Sequence, residues 1–148
     1  MMRPSRILLS WALAAAVLLA FTPIQAQERY EPVGRISVEL TDVGIGIGFS
    51  TGWGSVRFYG KNHYFTVQGL SVGDVGLSKV SAVGNVYNLR DIRDFPGTYV
   101  AVGAGLTLAG GIGGVTMRNQ RGVIINLQSV QAGVSLNIGP QGFTIDMK

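Results

Sequence analysis

The chain has 148 residues, a formal net charge of +4, one histidine and no cysteine. That removes a disulfide framework and cysteine-based metal sites, and a charge so small and evenly spread argues against nucleic acid as a partner. Its 22 glycines exceed the usual share of about 7%, yet Val, Ile, Leu and aromatic residues are too plentiful for low-complexity disorder.

Met1–Arg6 is short and basic, with Arg3 and Arg6, and Ile7–Phe21 is apolar apart from Ser10. Thr22–Ala26 then supplies a small residue, Ala26. This is the layout of a secretory signal peptide over residues 1–26. A membrane anchor needs about 20 apolar residues, and this run stops short before Pro23. No cysteine follows for lipid attachment. The expectation is export to the periplasm of a Gram-negative envelope, with residues 27–148 as a single domain of net charge +2 once Arg3 and Arg6 are gone.

Gly34–Leu40 alternates, with Ile36, Val38 and Leu40 on one face, and reads as a half-buried strand. Val43–Ser50 sets Val43, Ile45, Ile47 and Phe49 against a face of glycines. Thr51–Gly54 is read as a hairpin turn, Ser55–Tyr59 as its return strand, Gly60–Asn62 as a second turn and His63–Leu70 as a strand. Ser71–Leu89 reads as two strands or one bent strand, broken by glycines. Leu89, Ile92 and Phe95 share helical spacing and predict one short helix near residues 89–95, stopped by Pro96–Gly97. Thr98–Ala109 is expected as a strand with Val100, Val102, Ala104, Leu106 and Leu108 on one side. Val115–Arg118 follows. Asn119–Gly122 and Gly139–Gly142 are turns. Gly122–Leu127 and Gly133–Ile138 echo each other as Gly-Val-x-apolar-Asn-apolar, which suggests two equivalent strands of one sheet. Val123, Ile125 and Leu127 should face the core, as should Val134, Leu136 and Ile138. Phe143–Met147 is the last strand.

About eight to ten short strands with glycine-rich turns imply an all-β domain, either a small antiparallel β-barrel or a strongly curved sandwich. Glycines inside strands favour the barrel, because closure needs kinks at defined positions.

The order Gly69–Gly73, Val86–Leu89, Phe95, Gly103–Gly105, Gly122–Ile125 and Ala132–Leu136 resembles two bacterial groups. One is the SYLF lipid-binding domain. The other is a family of small periplasmic β-barrels linked to envelope integrity, of unknown activity. The resemblance covers about the last half of the chain and rests on glycines and apolar residues. It implies a small envelope barrel, lipid binding from the first group and an aromatic–arginine pocket from the second.

His63 opens a strand beside Tyr64 and Phe65, and no Gly-x-Ser-x-Gly elbow precedes a helix, so a hydrolytic triad has no frame. Asp91 and Asp94 alternate with Arg90 and Arg93, which reads as a solvated, self-paired face and not a metal site. Asp42 and Asp74 are single turn residues. Gly44–Gly48 and Gly103–Gly105 are followed by strands, whereas a phosphate loop needs a helix there. No metal or cofactor is expected.

The candidate ligand-binding side chains are Trp53, Arg57, Tyr64, Tyr87, Tyr99 and Arg118. Aromatics with a few cations at a barrel mouth suit a ligand pocket, although each one alone also suits ordinary packing. The expected function is a non-enzymatic periplasmic domain that binds a lipid or other apolar envelope ligand, or an envelope protein. It has no nucleic-acid partner and no transmembrane segment after signal cleavage. A small outer-membrane barrel is the alternative, although such barrels need strands of about 9–11 residues. A structural or interaction domain of the envelope is the second alternative, and a hydrolase built around His63 the remaining one.

Overall fold

A computed structural model describes residues 29–41, 50–72, 79–102, 107–110 and 114–148. The signal stretch Met1–Ala26 and the run Val43–Phe49 lie outside them. The elements are β1 (Arg29–Tyr30), β2 (Pro32–Thr41), β3 (Ser50–Phe58), β4 (Lys61–Val72), β5 (Lys79–Tyr87), β6 (Gly97–Ala101), β7 (Thr107–Leu108), β8 (Val115–Arg118), β9 (Ile124–Ser129), β10 (Leu136–Ile138) and β11 (Phe143–Met147).

Eight of these close an antiparallel ring in the order β4-β11-β6-β8-β9-β5-β2-β3, with β3 pairing back onto β4. The fold is a barrel and not a sandwich. β10 and β11 share one edge of β4. Leu136–Ile138 lie opposite Val72–Leu70, and Thr144–Met147 opposite Gln68–Phe65, so the two form one barrel strand interrupted by the Gly139–Gly142 turn. β1 and β7 make a separate parallel ribbon. Outside the strands, residues 92–94 form a single 3₁₀ turn where the short helix was expected.

Strand alternation fills the interior. Ile36, Val38 and Leu40 of β2 are buried, as are Val56 and Phe58 of β3, Phe65 and Val67 of β4, and Ile125 and Leu127 of β9. Val134 and Ile138 pack at the edge of the same cluster, beside buried Leu136. Each such side chain contributes about 1.5–3 kcal/mol relative to solvent exposure. One end is closed by aromatic rings. Phe65 meets Phe95 edge-on at 5.3 Å, and Phe95 and Phe143 each lie 6.4 Å from Tyr99. Phe95 comes from the β5–β6 connection, where Leu89 is also buried and Ile92 partly so. The three residues at helical spacing therefore do turn inward, around a 3₁₀ turn that itself holds only Ile92 of the three.

Three local expectations are corrected. Thr51–Gly54 is not a turn, because β3 runs through it. A Cβ on Gly54 would lie 2.7 Å from the Phe65 ring and 2.4 Å from the Ser37 carbonyl, so the glycine admits a core ring beside a paired strand. The hairpin that follows turns at Tyr59–Gly60, with φ of 48° and 74°, one residue before the expected place. Positive φ at both central residues is the type I′ geometry that matches strand twist. Last, β6 ends at Ala101 and is in the opposite phase. Tyr99 is buried and Val100 is 57% exposed. The tyrosine wins the inward position because it buries more area and its hydroxyl donates to the Phe95 carbonyl.

The turns read from sequence form as expected. Asn119 Oδ1 accepts from the Arg121 and Val123 amides, and the Gly142 amide donates to Gly139. The two echo segments, β9 and β10, belong to the same sheet, but β9 lies between β5 and β8 while β10 pairs with β4.

Candidate binding groove

The six candidate ligand residues do not share a barrel mouth; strand parity and register separate them. Tyr99 points inward and is core. Tyr87 faces outward, opposite Pro32 and Ile124, yet is fully buried with its hydroxyl donating to the Ala109 carbonyl at 2.9 Å, beside the β1–β7 ribbon. Arg118 sits in the same outward row, opposite Ile124 and Val100, and its buried Nε has no hydrogen-bond partner among the described residues. Trp53, Arg57 and Tyr64 lie together on the outer face of the β3–β4 hairpin.

Burial pushes the Tyr99 phenol above its ordinary range, against a smaller lowering from a hydrogen bond with Asn119. Burial also raises Tyr87, offset in part by Asn85. An unfolded tyrosine ionises near about pH 10. Above that pH the unfolded chain sheds protons that the native state keeps, so stability is full below about pH 10 and falls as pH rises. Urea midpoints measured across that range are expected to decline above about pH 10, and Tyr99→Phe to decline less steeply from a lower starting value. Equal slopes in the two proteins would remove Tyr99 as the cause.

The outer face of β3, β4 and β11 is where exposed aromatics gather. Trp53 lies opposite Thr66, and Tyr64 opposite Ser55. The two rings are therefore diagonal neighbours, about 7–8 Å apart at Cα. Trp53 is 50% and Tyr64 56% exposed, whereas Phe58 and Phe65 on the same strands are buried. They flank a cleft of about 670 Å³ that also meets Asn62, His63 and Lys148. It continues past Thr66, Gln68 and Asp146 as a cleft of about 440 Å³. A last segment of about 220 Å³ lies between Thr51, Gln68, Gln141 and Thr144. Together they make a groove along β4 from Asn62 to Gln68, roughly 20 Å long at the usual rise per residue.

The charges on this face follow from register. Glu39, Trp53, Thr66 and Asp146 form one cross-strand row. Glu39 is occupied, accepting from Ser81 at 2.7 Å and lying 3.8 Å from Lys79. One row beyond Tyr64, Arg35 lies directly opposite Arg57, and Arg57 opposite Asn62. Neither arginine forms an ion pair with a described residue, although Arg29, Arg93 and Arg121 all do. Asp91 is held by Arg93, whose guanidinium hydrogen-bonds its carboxyl and, with the Arg93 amide, lowers it to about 2. Among the described residues no group of three or more His, Cys, Asp or Glu converges.

No protein-family model matches this chain, and no curated protein does. A crystal structure of a β-barrel-like, uncharacterized protein from Brucella abortus is similar to it. The likeness has a TM-score of 0.55 and 23% sequence identity, over 91% of this chain and 81% of that one. The shared property is the barrel. The barrel fold that the resemblance implied is shared, and the SYLF half finds no support.

Sequence reasoning found Trp53, Tyr64 and Arg57 but missed Asn62, Thr66, Gln68, Asp146 and Lys148. The signal for three of them was present: once Phe65 and Val67 of β4 face inward, Asn62, Tyr64, Thr66 and Gln68 must face out together. Asp146 and Lys148 join only through the pairing of β11 with β4, which no local pattern encodes.

Proposed function

We propose that this chain is a non-enzymatic binding domain exported to the bacterial cell envelope, and that it takes its ligand on the outside of the barrel. The observation that carries the reading is the pair of half-exposed rings, Trp53 and Tyr64, flanking a groove on an otherwise polar sheet face. Large apolar rings left in water on a strand whose other rings are buried mark a contact surface. A lipid held inside the barrel would have to displace the packed cluster that runs from Ile36 to Ile145, so the expected apolar ligand moves to the outer face.

Two observations favour this over the alternatives. The barrel is apolar within and carries Arg35, Ser37, Arg57, Thr66, Gln68 and Asp146 outside, the inverse of a membrane-spanning barrel. His63, the centre of the hydrolase alternative, stands opposite Val56, and no acidic residue among those described lines the cleft it meets.

Purified domain incubated with a washed total envelope fraction should co-sediment with it, and a Trp53→Ala, Tyr64→Ala variant with unchanged thermal midpoint should stay in the supernatant. Equal sedimentation of both proteins, or of neither, overturns the reading.

A further inference from the structure

The groove has a chemistry more specific than a contact surface, and the inference drawn from it rests on the binding role proposed above. A sugar ring has one flat face of C–H bonds and a rim of hydroxyls. A site for it needs an aromatic plane for the face and neutral, planar or hydroxyl hydrogen-bonding groups for the rim. The β3–β4 face offers both. Trp53 and Tyr64 supply the planes. Asn62, Thr66 and Gln68 recur at every outward position of β4 around Tyr64, spaced about 7 Å apart by the strand repeat. The side chains of Asn62, Tyr64 and Gln68 hydrogen-bond to no described residue, so they are available. The groove is open and much longer than one sugar ring, which fits a chain and not a monosaccharide.

A second, independent observation sets the charge of that chain. Arg35 and Arg57 are directly opposed across β2 and β3, at the Asn62 end of the groove. Like charges in directly opposed positions destabilise a sheet. Among the described arginines, Arg29, Arg93 and Arg121 meet an acid, whereas Arg35, Arg57, Arg90 and Arg118 do not, and of these four only Arg35 and Arg57 stand directly opposed. An arginine pair kept apart from carboxylates on an exposed sheet is suited to a carboxylate or phosphate from outside.

We infer that the outer face of β3 and β4 binds an anionic glycan chain, with Trp53 and Tyr64 stacking on sugar rings, Asn62 and Gln68 bonding hydroxyls, and Arg35 with Arg57 taking an acidic substituent. A phospholipid surface fits less well, because the groove between the rings is lined in large part by polar groups and is not a continuous apolar strip. Nucleic acid fits less well, because the Asp146 carboxylate stands in the middle of the groove, opposite Thr66, where a phosphate backbone would have to run.

The test is co-sedimentation of the purified domain with three insoluble or micellar probes: peptidoglycan sacculi freed of protein, protein-free lipopolysaccharide micelles, and cellulose as an uncharged glucan. Binding to sacculi or to lipopolysaccharide is expected, and the two arms tell which envelope glycan is the source. Trp53→Ala should weaken it roughly tenfold at any salt concentration. Arg57→Gln should weaken it several-fold at low salt and flatten its salt dependence. Both positions are exposed, so circular dichroism and the thermal midpoint should be unchanged. If sacculi and lipopolysaccharide both fail to bind while the whole envelope fraction still retains the protein through Trp53, the glycan is wrong and the binding role stands. If the envelope fraction fails as well, both fall. Equal retention on cellulose would remove the arginine pair from the site.

Discussion

Phe65→Ala is expected to cost about 3–5 kcal/mol, the range for deleting a fully buried aromatic ring. Phe65 is completely buried on β4, meets the Phe95 ring edge-on at 5.3 Å, and covers the bare backbone of Gly54. Three elements therefore lose packing at once: β3, β4 and the 3₁₀ connection that closes one end. A domain of this size has about 5–15 kcal/mol of stability in all, so the variant should stand close to its unfolding threshold. Urea denaturation should show a much lower midpoint with the same slope. A loss below about 1 kcal/mol would mean that the end of the barrel repacks freely and that Phe65 is not central to it.

Gly84→Ala should be nearly as damaging, for a different reason. An ideal Cβ at Gly84 would lie 1.8 Å from the Asn126 carbonyl oxygen and 2.8 Å from its carbon. Both are backbone atoms of β9, which pairs with β5 through Gly84 and Leu127. No side-chain rotation relieves the clash, so the two strands must separate. Asn126 is itself buried and donates to Thr116 Oγ1 at 2.7 Å, which ties the disturbance to β8. The cost expected is about 3 kcal/mol, the upper end for added volume at a closed site. Amide hydrogen exchange should localise it, with faster exchange across the β5–β9 ladder than across β2–β3. Unchanged protection along β5 would show that the strand pair accommodates the methyl group.

Legibility in the sequence divided along a physical line. Where one face of a strand is apolar and the other polar, period-two alternation is enough. Ile36, Val38 and Leu40 were readable for that reason, and so were Val115–Arg118 and Phe143–Met147, the last two to the residue. Turns built on Asn119 and Gly142 were readable because their chemistry is local. Glycine was the misleading letter. Gly52 and Gly54 read as a turn because nothing local says that Phe65, eleven residues after Gly54, will occupy the space beside it. β6 was read in the wrong phase because valines at positions 100 and 102 outnumber Tyr99, while the partners that reward burial of Tyr99, Phe95 and Phe143, arrive only in the folded chain. The groove was half legible for the same reason. Aromatic character picked out Trp53 and Tyr64, but it also picked out Tyr87 and Tyr99, which are buried in different places. Only the register of β3 on β4 and of β4 on β11 sorts a ring in water from a ring in the core.

The position of β11 in the ring has a consequence for how the chain reaches its native state. This strand is inserted between β4 and β6, and its Met147 pairs with Phe65, far back along the chain. Non-local contacts of this kind must pay for loop closure before they return anything. A chain that emerges N-terminus first can form the β2–β3–β4 meander early, but the part of β4 that pairs with β11 and one edge of β6 stay open until residues 143–147 have emerged. Until then each is an unpaired strand edge, the structure most prone to pair with the wrong neighbour. Closure of the ring is therefore a late event, set by the arrival of β11.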